Sequence, residues 1–156
     1  MKKVLVVVDL QKEFGLVVDN EKYYEILDFV NHAKENGYDK VIGTVCKNRA
    51  DSNFVKSGIW LDCVDKVEPL EFTPDITIDK YGYGLDSIKY SKMNKKYEYH
   101  IIGYNTDACV LKVALDMFDR GFNVRVLIDK CYSSMGKEQH EIGVKILKDL
   151  MGNYVV

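Results

Sequence analysis

The chain has 156 residues, 47% hydrophobic and 29% charged, which suits one soluble domain, 1–156, with one core. Its formal net charge of −2 leaves no basic footprint for nucleic acid. The apolar run Val4 to Val8 is too short for a signal peptide or a membrane span, so no membrane partner and a cytoplasmic location are expected.

Lys3 to Asp9 reads as a buried strand, because continuous β-branched runs suit a parallel sheet covered on both faces. Residues 20–36 follow as a helix, with Asp19 or Asn20 as its cap and Asn36-Gly37 as its stop. Lys40 to Val45 is the second strand. Cys46 to Pro74 is irregular, holding Asn48, Ser52, Phe54, Trp60 and Cys63, with one short helix near Asn53–Ser57. Ile76 to Asp79 is a third strand that leads into Lys80, and Asp86 to Met93 a helix. Tyr99 to Ile102 is a fourth strand.

Gly103 then opens a tight turn into a helix over 107–120. Val110, Val113, Ala114, Met117 and Phe118 recur at helical spacing, and Gly121 ends it. Thr106 or Asp107 supplies the N-cap oxygen. Asn123 to Ile128, a helix over 137–151 and a short sixth strand over Tyr154 to Val156 complete the pattern. Alternating strands and helices imply right-handed crossovers and a three-layer α/β domain, with a Rossmann-like parallel sheet of about six strands in the order 3-2-1-4-5-6.

Ligands bind such sheets beyond the C-terminal strand ends, at the switch in strand order. Asp9, Lys80 and Cys109 fall at those ends. Taken singly, Asp9 reads as a turn cap, Lys80 as a surface charge and Cys109 as a small packing residue. Together they form a base, a cation and a nucleophile. A thiol in the first turn of a helix also feels the positive end of its dipole, which favours the thiolate. Cys46, Cys63, Cys109 and Cys131 show neither C-x-x-C spacing nor a histidine at zinc-ligand spacing, and reduced thiols are expected. His140 reads as a cap or cross-link between helices, without a catalytic role.

Three segments carry a resemblance, in order and over nearly the whole chain. Asp9-Leu10-Gln11-Lys12-Glu13-Phe14 is similar to D-x-Q-x-[DE]-F. Asp79-Lys80-Tyr81-Gly82-Tyr83 resembles a lysine loop, and Gly103-Tyr104-Asn105-Thr106-Asp107-Ala108-Cys109-Val110 resembles G-x-x-T-D-x-C-V. These are motifs of the isochorismatase-like cysteine hydrolases. The resemblance implies the isochorismatase-like hydrolase fold, Cys109 as nucleophile, Asp9 as general base and Lys80 as third catalytic residue. It also implies a cis peptide at Tyr104-Asn105 and an oxyanion hole made by the N–H groups of Asn105 and Cys109. Cleavage of an amide or carbamoyl C–N bond of a small molecule, through a thioester, is the expected activity.

Nicotinamidases of this group place a metal site after the second strand, with an Asp and several His. Cys46 stands here where the Asp would be, and Asn48 where the first His would be. No metal and no cofactor are expected. The chain looks closer to a metal-free branch in which Asn48, Phe54 and Trp60 shape the pocket with Phe14, Tyr83 and Tyr104. Trp60 reads equally well as packing the loop onto the sheet. The rival activities are vinyl-ether hydrolysis, for which Arg49 is the candidate cation, and non-enzymatic binding or scaffolding on the same fold. At 156 residues the chain is short for the family, so a homo-oligomer, dimer or tetramer, with a pocket completed by its long loop or a neighbouring subunit is expected.

Overall fold

The computed structural model describes residues 1–15, 18–60 and 67–156. Cys63 lies outside the described residues. Five strands form one parallel sheet: β1 (Lys3–Val8), β2 (Lys40–Cys46), β3 (Ile76–Lys80), β4 (Glu98–Tyr104) and β5 (Asn123–Tyr132). Their order is β3-β2-β1-β4-β5. The chain reverses direction across the sheet between β1 and β4, so the crevice of a doubly wound fold opens there.

The helices are α1 (Lys12–Gly15), α2 (Asn20–Asn31), α3 (Asn53–Ser57), α4 (Ser87–Ser91), α5 (Cys109–Asp119) and α6 (Lys137–Met151). Strand alternation divides the core in two. Val4, Val6 and Val8 of β1 pack with Val110, Val113 and Met117 of α5 and Leu147 of α6. Leu5 and Val7 pack on the opposite face with Tyr23, Ile26 and Val30 of α2. Burying one such aliphatic side chain contributes about 1.5–3 kcal/mol, so β1, fully covered on both faces, anchors the domain.

Four expectations change. The sixth strand reduces to one bridge between Val155 and Val126, because a 3-10 turn over Gly152–Tyr154 leaves two residues after it. The helix expected over 20–36 ends at Asn31, and turns carry the chain to Gly37, whose φ is +85°. Asp19 is its cap, accepting from Lys22 N–H at 2.9 Å. The cap of α5 is Ala108, with no side-chain cap bond. Thr106 bonds instead to His140, 2.7 Å away, so His140 ties the turn before α5 to α6.

β5 runs four residues beyond its expected end. Its register on β4 shifts between the Ile101–Val126 and Gly103–Cys131 pairs, where the extra residues bulge out.

Candidate active site

Asp9 directly follows β1 and has a φ of +46°. Asp tolerates this left-handed conformation better than most residues, and the sharp turn ends the strand at the crevice. Thr44, the one polar residue in the buried run of β2, fixes the carboxylate. Its hydroxyl donates to Asp9 Oδ1 at 2.6 Å and accepts from Asp9 N–H at 3.0 Å.

Lys80 ends β3 and reaches across β2. Its Nζ lies 2.9 Å from Asp9 Oδ2, 3.3 Å from Cys109 Sγ and 2.6 Å from the Gly82 carbonyl oxygen. The side chains of Asp9 and Lys80 are wholly buried. Cys109 is the first residue of α5, where an N–H has no acceptor within the helix. The preceding turn holds the cis peptide Tyr104-Asn105. Asn105 Oδ1 accepts from Ser134 N–H at 2.7 Å, and its carbonyl accepts from the N–H groups of Ala108 and Val110.

Burial alone would lower the pKa of Lys80, but the charge of Asp9 leads the effects that outweigh it, and the group stays an ammonium. Burial and then the charge of Asp9 push the Cys109 thiol well up, with Lys80 opposing. The resting site is therefore a protonated thiol beside an Asp9–Lys80 ion pair. Desolvation and the neighbouring carboxylate outweigh the ammonium and the helix terminus, which favour the thiolate.

A tight chamber of about 10 Å³ lies against Cys109. Of the residues expected to shape it, Phe14, Phe54, Trp60, Tyr83 and Tyr104 line it. Trp60 Nε1 donates to the Tyr83 hydroxyl at 3.1 Å, and edge-to-face contacts join Phe54 to Tyr83 and Phe14 to Trp60. Asn48 is not among them. It sits behind the wall, where its Nδ2 donates to the Trp60 carbonyl at 3.0 Å and holds the indole in place. Arg49 is exposed, pairs with Asp51 and does not line the chamber.

Cys46 and Gly82 also line the chamber, and sequence reasoning assigned neither of them to it. Thr44 was missed as well. A lone hydroxyl in a buried strand next to the strand ending in Asp9 was the available signal. Gln11, of the opening motif, is nearly fully buried and accepts from Cys46 N–H at 2.7 Å, which ties the first motif to the end of β2.

The family model of the isochorismatase domain matches residues 3–156. The chain belongs to the isochorismatase family. No curated protein matches its sequence. Among solved structures, this isochorismatase-family chain is similar to the pyrazinamidase of Pyrococcus horikoshii in complex with zinc, at 22% identity and a TM-score of 0.74 over 96% of each chain. It is also similar to the pyrazinamidase/nicotinamidase of Streptococcus mutans, at 17% identity and a TM-score of 0.74 over 99% of this chain and 100% of that one. The N-carbamoylsarcosine amidase of Thermoplasma acidophilum aligns at 17% identity and a TM-score of 0.71 over 99% of this chain and 95% of that one. These likenesses establish the shared fold.

The described residues do not fit a metal like the zinc of the Pyrococcus protein. Among the described residues no group of three His, Cys, Asp or Glu is arranged to hold an ion. His32 bonds to Asp28, His100 to Tyr38 and Glu98, and His140 to Thr106, so each imidazole is engaged elsewhere. No helix among the described residues is long and apolar enough to cross a membrane.

Proposed function

We propose that this isochorismatase-family chain is a cysteine hydrolase that cleaves a C–N bond of a small amide or carbamoyl compound through a thioester on Cys109. The observation that carries the reading is the buried cluster in which Lys80 Nζ lies 2.9 Å from Asp9 and 3.3 Å from Cys109 Sγ.

Asp9 accepts the thiol proton as Sγ attacks the carbonyl carbon. Lys80 stabilises the forming thiolate, and the N–H groups of Asn105 and Cys109 receive the oxyanion. Each such donor is worth roughly 3 kcal/mol in enzymes where it has been removed. The C–N bond breaks as Asp9 returns its proton to the leaving nitrogen. Water, giving a proton to Asp9, then attacks the thioester. The C–S bond breaks, the acid product leaves and Asp9 reprotonates the thiol.

The chamber narrows the substrate. At about 10 Å³ it holds no more than about one water, so a substrate enters only as the aromatic wall gives way. Its wall is mainly aromatic, and among the described residues its ionisable lining groups are Asp9, Tyr83, Tyr104 and the thiols of Cys46 and Cys109. A small uncharged amide matches the chemistry of these walls. A chorismate-type acid would bring carboxylates to a site where Lys80, the cation beside the chamber among the described residues, already pairs with Asp9, which disfavours vinyl-ether hydrolysis.

The test is a panel of small neutral amides and carbamoyl compounds, with acid quenching and mass mapping of the peptide around Cys109. A substrate should give an acyl adduct on Cys109, and Cys109→Ala should lose both adduct and turnover while keeping its fold. Turnover retained by Cys109→Ala would rule out the thioester route.

A further inference from the structure

His140, in the first turn of α6, stands outside the catalytic chamber and touches none of the reacting groups. Its Nδ1 lies 2.7 Å from Thr106 Oγ1, a hydrogen bond in either tautomer, and Thr106 is wholly buried. The imidazole packs on Tyr132, with ring centroids 5.1 Å apart and planes tilted by 31°. The Tyr132 carbonyl accepts from Thr106 N–H at 3.0 Å. These two polar attachments of Thr106 therefore run to the end of β5 and the first turn of α6, on either side of the segment that joins them.

One turn further along α6, Gly143 lies against the backbone of Thr106 and Asp107. A Cβ there would lie 2.7 Å from Asp107 N, so α6 seats on the turn itself. Ser134 holds the Asn105 side chain from the same segment. The turn that carries Asn105 and leads to Cys109 is thus gripped from its outer side by residues 132–143.

We propose that His140 is a positioning residue for the oxyanion hole: through Thr106 it fixes the turn so that the N–H groups of Asn105 and Cys109 converge beside Cys109 Sγ. The inference rests on the reading of these two amides as oxyanion donors. Burial, and then the charge of Lys22, lower the pKa of His140, so the ring is neutral at neutral pH and places no second charge near the site. A displacement of about 1 Å in such a turn can cost on the order of a hundredfold in rate, so a single buried hydrogen bond is enough to matter.

The test compares two reactions of one thiol. Acetylation of Cys109 by p-nitrophenyl acetate passes through a tetrahedral oxyanion. Alkylation by iodoacetamide displaces iodide at a saturated carbon and forms none. His140→Ala should slow acetylation by about tenfold or more, through kcat rather than KM, and leave alkylation unchanged. His140→Asn, whose amide can occupy the place of Nδ1, should restore most of the lost rate. Equal slowing of both reactions, slowing of neither, or no rescue by Asn would overturn the proposal. If the wild-type protein is not acetylated on Cys109, the hydrolase reading fails, and positioning is then read from amide hydrogen exchange over residues 104–109. Faster exchange in His140→Ala, reversed in His140→Asn, is expected there. Unchanged exchange would overturn the proposal by itself.

Discussion

At the scale of single residues, the site is governed by a charge pair with no solvent around it. Asp9 and Lys80 are both wholly buried, 2.9 Å apart. Removing one partner of such a pair leaves an uncompensated charge and costs about 3–5 kcal/mol, whereas removing both costs far less. Lys80→Met and Asp9→Asn should each destabilise by about that amount in urea titrations, and the double variant by less than their sum. Additive losses would mean that the two groups do not interact. Asp9, Lys80 and Cys109 were legible because each interrupts an apolar or periodic pattern at a strand end. The protonation state of the thiol was not. It depends on how deeply Cys109 is buried and how close Asp9 comes, and neither distance nor depth is written in the spacing of residues. The place of Asn48 was equally hidden, since its contact is the carbonyl of Trp60 inside a loop whose path follows no period.

At the scale of elements, β4 and the turn after it position Cys109, the proposed nucleophile, and Gly103 allows β4 to lie beside β1. Its φ is +114°, and a Cβ there would sit 2.1 Å from the Val8 carbonyl oxygen. Backbone cannot yield as a side-chain tip does. Gly103→Ala should cost several kcal/mol, on the order of 3–5, and lower the melting midpoint markedly. A variant with unchanged stability would show that β1 and β4 separate easily. The buried apolar runs foretold β1, β2 and β4 to within a residue or two at most ends. The end of the chain was misread because Tyr154-Val155-Val156 has strand composition, while the preceding Gly152 permits the 3-10 turn that consumes most of it. The bulge in β5 was invisible too: its sequence continues as a strand, and only pairing with β4 reveals the shift.

At the scale of the whole molecule, both faces of the sheet bury weak acids in their neutral form. Burial pushes the Cys131 thiol up to about 12, and burial, then the charge of Glu98, pushes the Tyr38 hydroxyl up to about 12. The unfolded chain loses these protons near the ordinary values of 9.0 and 10.0, while the folded chain keeps them. Their contribution is therefore fully present below pH 9 and is lost as pH rises from 9 towards 12. Urea unfolding at a series of pH values should show stability falling through that window, with a shallower slope in Cys131→Ala. A flat profile would contradict the assigned burial.

The central claim is that a neutral thiol at Cys109 is held beside Asp9, the base proposed for it. The most direct measurement is the pH dependence of iodoacetamide alkylation at Cys109, resolved by peptide mapping, in the wild-type protein and in Asp9→Asn. The wild-type thiol should react slowly at neutral pH and faster as pH rises, because burial and Asp9 hold its proton on. Asp9→Asn removes that carboxylate and frees Lys80 to pair with a thiolate, so alkylation at neutral pH should accelerate while hydrolysis is lost. An Asp9→Asn protein that alkylates no faster than wild type, or that still hydrolyses its substrate, would contradict the role given to Asp9.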